Sequence, residues 1–91
     1  MSRKEPERIT IRRGFATIRY TRRGGALINI HVDSTHQGLG IERHLLMRCI
    51  EKCRQSGATD VQKCVDGEVD MYILRECGFV EWGLNFMNLD L

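Results

Sequence analysis

The stretch best able to do chemistry is Val32-Asp33-Ser34-Thr35-His36-Gln37-Gly38-Leu39-Gly40-Ile41, where a strand pattern gives way to a helical one. A glycine-containing loop that opens a helix presents unpaired backbone N–H groups at the positive end of the helix dipole. Such an end takes a phosphate or pyrophosphate. Gly38 and Gly40 lack the Cβ that would hold a ligand's oxygens away from those amides. Arg43, in the first turn, offers a charge-assisted contact. The same two glycines also suit a tight strand-to-helix turn that binds nothing, and spacing does not separate the two readings. Two common nucleotide fingerprints are excluded. A P-loop needs a Gly-Lys-Ser/Thr ending, which the chain lacks, and a dinucleotide loop needs three spaced glycines where two are present.

The four cysteines point away from metal. Cys49 and Cys53 lie four apart on one helical face, without the tight C-x-x-C turn, and Cys64 and Cys77 follow singly with no histidine at finger-like spacing. They read as free thiols packed as small hydrophobes in a reducing, cytoplasmic compartment. Met1–Arg13 is charged throughout and lacks the apolar stretch of a secretory signal. No apolar run approaches the ~20 residues that cross a bilayer.

The elements that must hold the loop follow from period. Ile9–Arg13 and Phe15–Tyr20 read as short strands, and Ala26–Val32 as a third, with Ile28, Ile30 and Val32 on one face and Asn29, His31 and Asp33 on the other. Arg22-Arg23-Gly24-Gly25 between the last two is a hairpin signature. Ile41, Leu45, Cys49 and Cys53 then recur every four residues, predicting a helix from near Gly38 to Gln55, stopped at Gly57. Asp60–Val65 is the next strand, Val69–Cys77 a short helix capped by Gly78, and Phe79–Trp82 and Phe86–Leu91 are terminal strands. The order β-β-β-α-β-α-β-β is mixed α/β: a mostly antiparallel sheet with one central β-α-β crossover.

At 91 residues the chain is expected to be one domain over residues 1–91, with residues 1–8 a loosely held start. Hydrophobic residues at 42% and charged residues at 29% exclude a disordered or collagen-like chain. At this size stability leans on a homodimer in many proteins, and the sequence leaves a dimer open. The net charge of +2 hides an asymmetry. Residues 1–25 carry Arg3, Lys4, Arg8, Arg12, Arg13, Arg19, Arg22 and Arg23 against Glu5 and Glu7, a balance of +6, and the remainder carries −4. A basic half of this kind meets a phosphate, a nucleic acid or an acidic partner, or else is a solvated, arginine-rich edge.

His36-Gln37-Gly38-Leu39-Gly40-Ile41-Glu42-Arg43-His44-Leu45-Leu46 resembles the acetyl-CoA-binding motif of the GNAT family of N-acetyltransferases, Gln/Arg-x-x-Gly-x-Gly/Ala. Gln37 and Gly40 match its polar and glycine positions, Val32 the upstream strand residue, and Leu45-Leu46 the apolar pair that follows. Leu74-Arg75-Glu76-Cys77-Gly78-Phe79 resembles the family's second landmark, a short helix ending in Gly-Phe. The resemblance covers about residues 9–91 and implies an acyl-CoA N-acyltransferase-like fold. In it strand 26–32 splays from strand 60–65 and acetyl-CoA enters the gap. The cofactor set it implies is Val32, Gln37, Gly38, Leu39, Gly40, Glu42 and Arg43, with no metal. The reaction implied is direct acetyl transfer to an amine, the thioester carbonyl polarised by a strand N–H.

Departures from the family pattern shape the rest. Glu42 stands where the family prefers Gly or Ala, and a carboxylate repels a pyrophosphate. Leu74 replaces the tyrosine that protonates the departing thiolate, and Tyr72 is the nearest substitute, although two residues is about 200° around a helix. Gly67 and Ala26 stand where the family often has asparagine and glutamate, which leaves His31 and Asp33 as candidates to manage protons. Fewer residues precede the first strand than the family's strand and two helices need, which implies an open acceptor site. The leading expectation is an acetyl-CoA-dependent N-acetyltransferase acting on a protein or peptide amine rather than a small one, with no membrane role. The alternative is a non-catalytic binding module of the same fold whose basic half contacts a protein or nucleic acid. Base stacking there would be thin, with only Phe15 and Tyr20 among the arginines. A third expectation is one half of an assembly that a partner completes.

Overall fold

A computed structural model describes residues 6–33 and 40–91 of the chain. Its elements are β1 (Glu7–Ile11), β2 (Gly14–Tyr20), β3 (Ala26–Val32), α1 (Ile41–Gln55), β4 (Asp60–Cys64), α2 (Gly67–Glu76), β5 (Val80–Glu81) and β6 (Phe86–Asp90). The strands form one six-stranded sheet in the order β1-β2-β3-β4-β6-β5. Every neighbouring pair is antiparallel except β3 and β4, which run parallel because α1 carries the chain back between them. This is the mixed sheet with one β-α-β crossover that the periodicity implies.

The period-two pattern sorts the sheet into two faces. Ala16, Ile18, Ala26, Ile28, Val61 and Met87 point to one side and are buried there against Leu45, Leu46, Cys49, Ile50 and Cys53 of α1 and Leu74 of α2. Burying a side chain such as Ile18, Ile28 or Leu45 completely contributes about 1.5–3 kcal/mol. Both helices therefore lie on the same face, and among the described residues no helix covers the other. The Cys49 and Cys53 thiols belong to this core, and their burial pushes them up to about 12 and about 11. They fill space rather than react.

Both helices stop by the same device. In α1 the N–H groups of Gly57 and Ala58 donate to the carbonyls of Arg54 and Cys53, and in α2 those of Gly78 and Phe79 donate to Arg75 and Leu74. Each is a Schellman ending, which needs a left-handed residue after the last turn; Gly57 has φ +81° and Gly78 φ +96°.

Most ends lie within a residue or two of the sequence expectation, and the shifts at β1 and α2 have a physical cause. The first strand starts at Glu7, inside the segment expected to be loosely held, and stops at Ile11. Glu7 pairs with Ile18 across the sheet, and its carboxylate lies 3.3 Å from the Lys52 ammonium of α1, which ties the start down. Arg12-Arg13 then form the turn. The second helix starts at Gly67 rather than Val69, because the Asp70 carboxylate accepts the Asp66 N–H at 2.8 Å and fixes the first turn early.

The feature that matters for function lies between β3 and β4. They pair only over Ala26–Ile28 and Val61–Lys63. Beyond that, β3 runs on to Val32 paired with β2, and β4 reaches Cys64 paired with β6. The two strands part like a V, and the backbone groups on its inner sides lose their ladder partners.

Candidate functional site

The V opens toward the N-terminus of α1. Gly40 is the N-cap there, with φ +81° and no side-chain cap. A left-handed φ at this position favours glycine, and a Cβ built on it would meet nothing within 4 Å. Gly40 is thus required by backbone conformation rather than by crowding from the protein. The His44 N–H donates to the Gly40 carbonyl at 3.0 Å. The N–H groups of Ile41, Glu42 and Arg43 precede the first intrahelical bond, so helix geometry leaves them without an acceptor in the helix. The positive end of the α1 dipole and these three donors form a site for an anion.

The sequence-derived cofactor set divides as follows. Gln37, Gly38 and Leu39 lie outside the described residues. Val32 ends β3, half-buried, on the face that α1 covers and opposite Gly14. Gly40, Glu42 and Arg43 come together at the first turn of α1. The guanidinium of Arg43 is ion-paired with Glu76 at the end of α2. The pair joins the two helices, so Arg43 reaches an anion at the α1 N-terminus only by giving up its Glu76 carboxylate partner.

Glu42 turns inward. It lies one turn ahead of Leu45 and Leu46 on the buried side of α1, and its carboxyl is raised above the ordinary value, first by burial and then by the negative charge of Asp70, with Asp66 adding to the rise and Lys63 opposing it. A raised carboxyl sheds its charge more readily, which softens the repulsion that a carboxylate at this position implies.

Behind Glu42 lies a pair that sequence reading does not find. The Lys63 ammonium donates to an Asp70 carboxylate oxygen at 2.8 Å and to the Cys64 carbonyl at 3.1 Å. Both side chains are more than nine-tenths buried, at 7% and 8% exposure. Lys63 is also the last β4 residue paired with β3, so its side chain issues from the apex of the V. The only trace in the sequence is a lysine at an inward position of an apolar strand, and an aspartate four residues before Leu74 on the buried side of a helix.

The two residues named for proton handling lie apart. His31 is exposed on the uncovered face, its ring stacked on Phe15 at 4.7 Å, with the Arg8 guanidinium 3.9 Å from the Phe15 ring centre. Tyr72 is 56% exposed on α2 and lines a shallow hollow of about 450 Å³ with Glu68, Met71, Arg75 and Glu76. They sit on opposite sides of the sheet, and Leu74, at the family's tyrosine position, is wholly buried.

On the uncovered face beside β4, Gln62, Trp82, Gly83, Leu84 and Phe86 bound a second hollow of about 440 Å³. Trp82 and Leu84 are 60% and 86% exposed. Asn88, on the same face, has a buried side-chain oxygen with no hydrogen-bond partner among the described residues. Among those residues no cluster of His, Cys, Asp or Glu is arranged to hold a metal, and no helix is long and apolar enough to cross a membrane.

Comparison with known proteins bears on this geometry. The profile of the acetyltransferase (GNAT) family matches residues 11–79. No curated protein matches the chain. Solved structures do. Ribosomal-protein-alanine N-acetyltransferase from Brucella melitensis superposes with a TM-score of 0.77 at 24% identity, over 87% of this chain and 62% of that one. The yncA protein of Salmonella typhimurium, solved with its cofactor acetyl-CoA, gives 0.76 at 24% identity, over 87% and 58%. A Bacillus subtilis acetyltransferase in complex with CoA gives 0.74 at 22% identity, over 87% and 69%. The chain spans about three fifths of the length of the first two. At these identities the likeness establishes the fold.

Proposed function

Since the chain belongs to the acetyltransferase (GNAT) family, we propose that it binds acetyl-CoA in the β3/β4 cleft and transfers the acetyl group to an amine. The observation that carries this reading is the short parallel pairing, which ends at Ile28 and Lys63 beside an α1 N-terminus capped by a left-handed glycine. The residues fit the group. The inner backbone of β3 beyond Ile28 has lost its parallel partner and offers a ladder for the pantetheine amides. The N–H groups of Ile41, Glu42 and Arg43 face the pyrophosphate. The described residues share one sheet and one core, which supports reading residues 1–91 as a single domain of this kind.

Acetyl-CoA supplies the acyl group as a thioester, already activated toward amines. The chain contributes binding and orientation. A β3 N–H freed at the apex polarises the carbonyl. The amine must arrive neutral, and the acceptor face is open enough for water to take its proton.

The acceptor in this reading is a protein or peptide amine. Support comes from the uncovered sheet face beside the cleft, where Trp82, Leu84 and Phe86 border a broad hollow that suits an extended chain with an apolar side chain.

Calorimetric titration with acetyl-CoA and with CoA, alongside thermal unfolding, tests the site. Ligand at about 100 times its dissociation constant adds about 2.7 kcal/mol of stability, which raises the melting temperature measurably. No binding at millimolar acetyl-CoA overturns the reading. If binding is present, mass spectrometry of peptide and small-amine mixtures incubated with acetyl-CoA reads the acceptor class, and acetylation of small amines alone removes the peptide assignment.

A further inference from the structure

The reading above leaves one chemical need unmet. When the amine nitrogen bonds to the acetyl carbon and the carbon–sulfur bond breaks, a thiolate departs, and a group must stabilise and protonate it. The position at which the family places a tyrosine is Leu74, sealed in the core. Tyr72 points out from α2 with 56% exposure.

We propose that Lys63, held by Asp70 at the apex of the β3/β4 cleft, is the group that stabilises and protonates the departing sulfur, an inference that rests on acetyl-CoA occupying that cleft. Three observations carry it. Lys63 is the last β4 residue in register with β3, so its side chain starts where the cleft begins. Its ammonium has three N–H donors, of which one goes to Asp70 and one to the Cys64 carbonyl. Among the described residues the third has no partner. Asp70 also accepts the Asp66 N–H, so its carboxylate is anchored to the α2 start while the ammonium stays against the strand. The arrangement fixes a cation whose position costs no reorganisation during reaction.

The step balances. The amine nitrogen forms its bond to the acetyl carbon, the carbon–sulfur electron pair goes to sulfur, and Lys63 passes one Nζ proton to it. The proton released from the new amide nitrogen returns to Lys63 through water. The charged neighbours are Asp70, Asp66 and Glu42. Their negative charge opposes the effect, so comparison with a variant that lacks both partners reads the net effect of the oriented pair, ammonium toward the cleft, on the sulfur.

The test measures the ionisation of the CoA thiol while bound, from its ultraviolet thiolate absorbance against pH. The proteins are wild type, the double variant Lys63→Met with Asp70→Ala, and Lys63→Arg. Replacing both partners by apolar groups keeps the core free of an orphaned charge. In wild type the bound thiol is expected to hold roughly tenfold more thiolate at a given pH than in the double variant, about one pKa step. Lys63→Arg keeps the cation and so keeps the extra thiolate. It holds its own proton, however, so kcat with acetyl-CoA falls about 10²–10⁴-fold. Acetyl thioesters of more acidic thiols recover part of that loss. Equal thiolate fractions in wild type and double variant overturn the Lys63 role and leave the cofactor site standing. If the double variant does not fold, Lys63→Arg decides, and an unchanged kcat there overturns the role. Failure of wild type to bind CoA overturns both readings.

Discussion

Lys63→Met is the substitution whose effect on the fold is best defined by the structure. It leaves the Asp70 carboxylate, 8% exposed, with its main-chain bond to Asp66 but without the ammonium 2.8 Å away. Breaking a buried pair from one side costs about 3–5 kcal/mol, because the remaining charge has neither water nor a counterion. A chain of 91 residues has a total stability of about 5–14 kcal/mol. The single change thus removes about a fifth of it at the least, equivalent to a fall in melting temperature of about 12–40 °C. Adding Asp70→Ala deletes the orphaned charge, and the double variant is expected within about 1–2 kcal/mol of wild type. Urea unfolding of the four members of the cycle, with m-values compared, reads both numbers. A cost below about 1 kcal/mol for Lys63→Met would mean that the ammonium is solvated rather than buried. That result removes the fixed cation from the apex and with it the assignment of Lys63 to the sulfur.

Two other expectations follow from the α1 N-terminus. Glu42 has a carboxyl raised by burial and by Asp70, so it is neutral to a higher pH than a free glutamate. Since the neutral form tolerates a pyrophosphate better, CoA affinity is expected to fall as pH rises through the Glu42 titration. Glu42→Gln removes that fall and tightens binding above it, and calorimetry at several pH values reads both; an unchanged pH profile in the variant places the pyrophosphate away from Glu42. Gly40→Asp adds a charge at the cap and forces a Cβ into φ +81°, a strain of about 1–2 kcal/mol. CoA binding should be abolished in a protein that still unfolds cooperatively, and retained affinity would mean that the anion sits elsewhere.

Much of the architecture is local and was legible. Ile28–Val32 alternates apolar and polar residues, and the structure has a strand over Ala26–Val32. Gly57 and Gly78 mark helix ends because a left-handed residue is needed there whatever the tertiary fold. The left-handed N-cap at Gly40 was not legible, since the helical period places the start near Gly38 and an N-cap needs no left-handed residue. The placement of β6 between β4 and β5 was not legible, since nothing in Phe86–Asp90 states which edge it joins. Nor was the partial burial of Glu42, whose carboxyl feels the charges of Asp70 and Lys63 from two other elements.

The sequence by itself determined the order of strands and helices, the two helix stops and the glycine-opened loop, because these depend on backbone conformation and periodicity within a few residues. Only the tertiary structure decided where β3 parts from β4, that both helices share one face, and that Lys63 and Asp70 meet in the core at the apex. A strand residue and a helix residue seven apart carry no shared period. Their pairing exists because packing removes water from both, and a buried charge must then find its opposite.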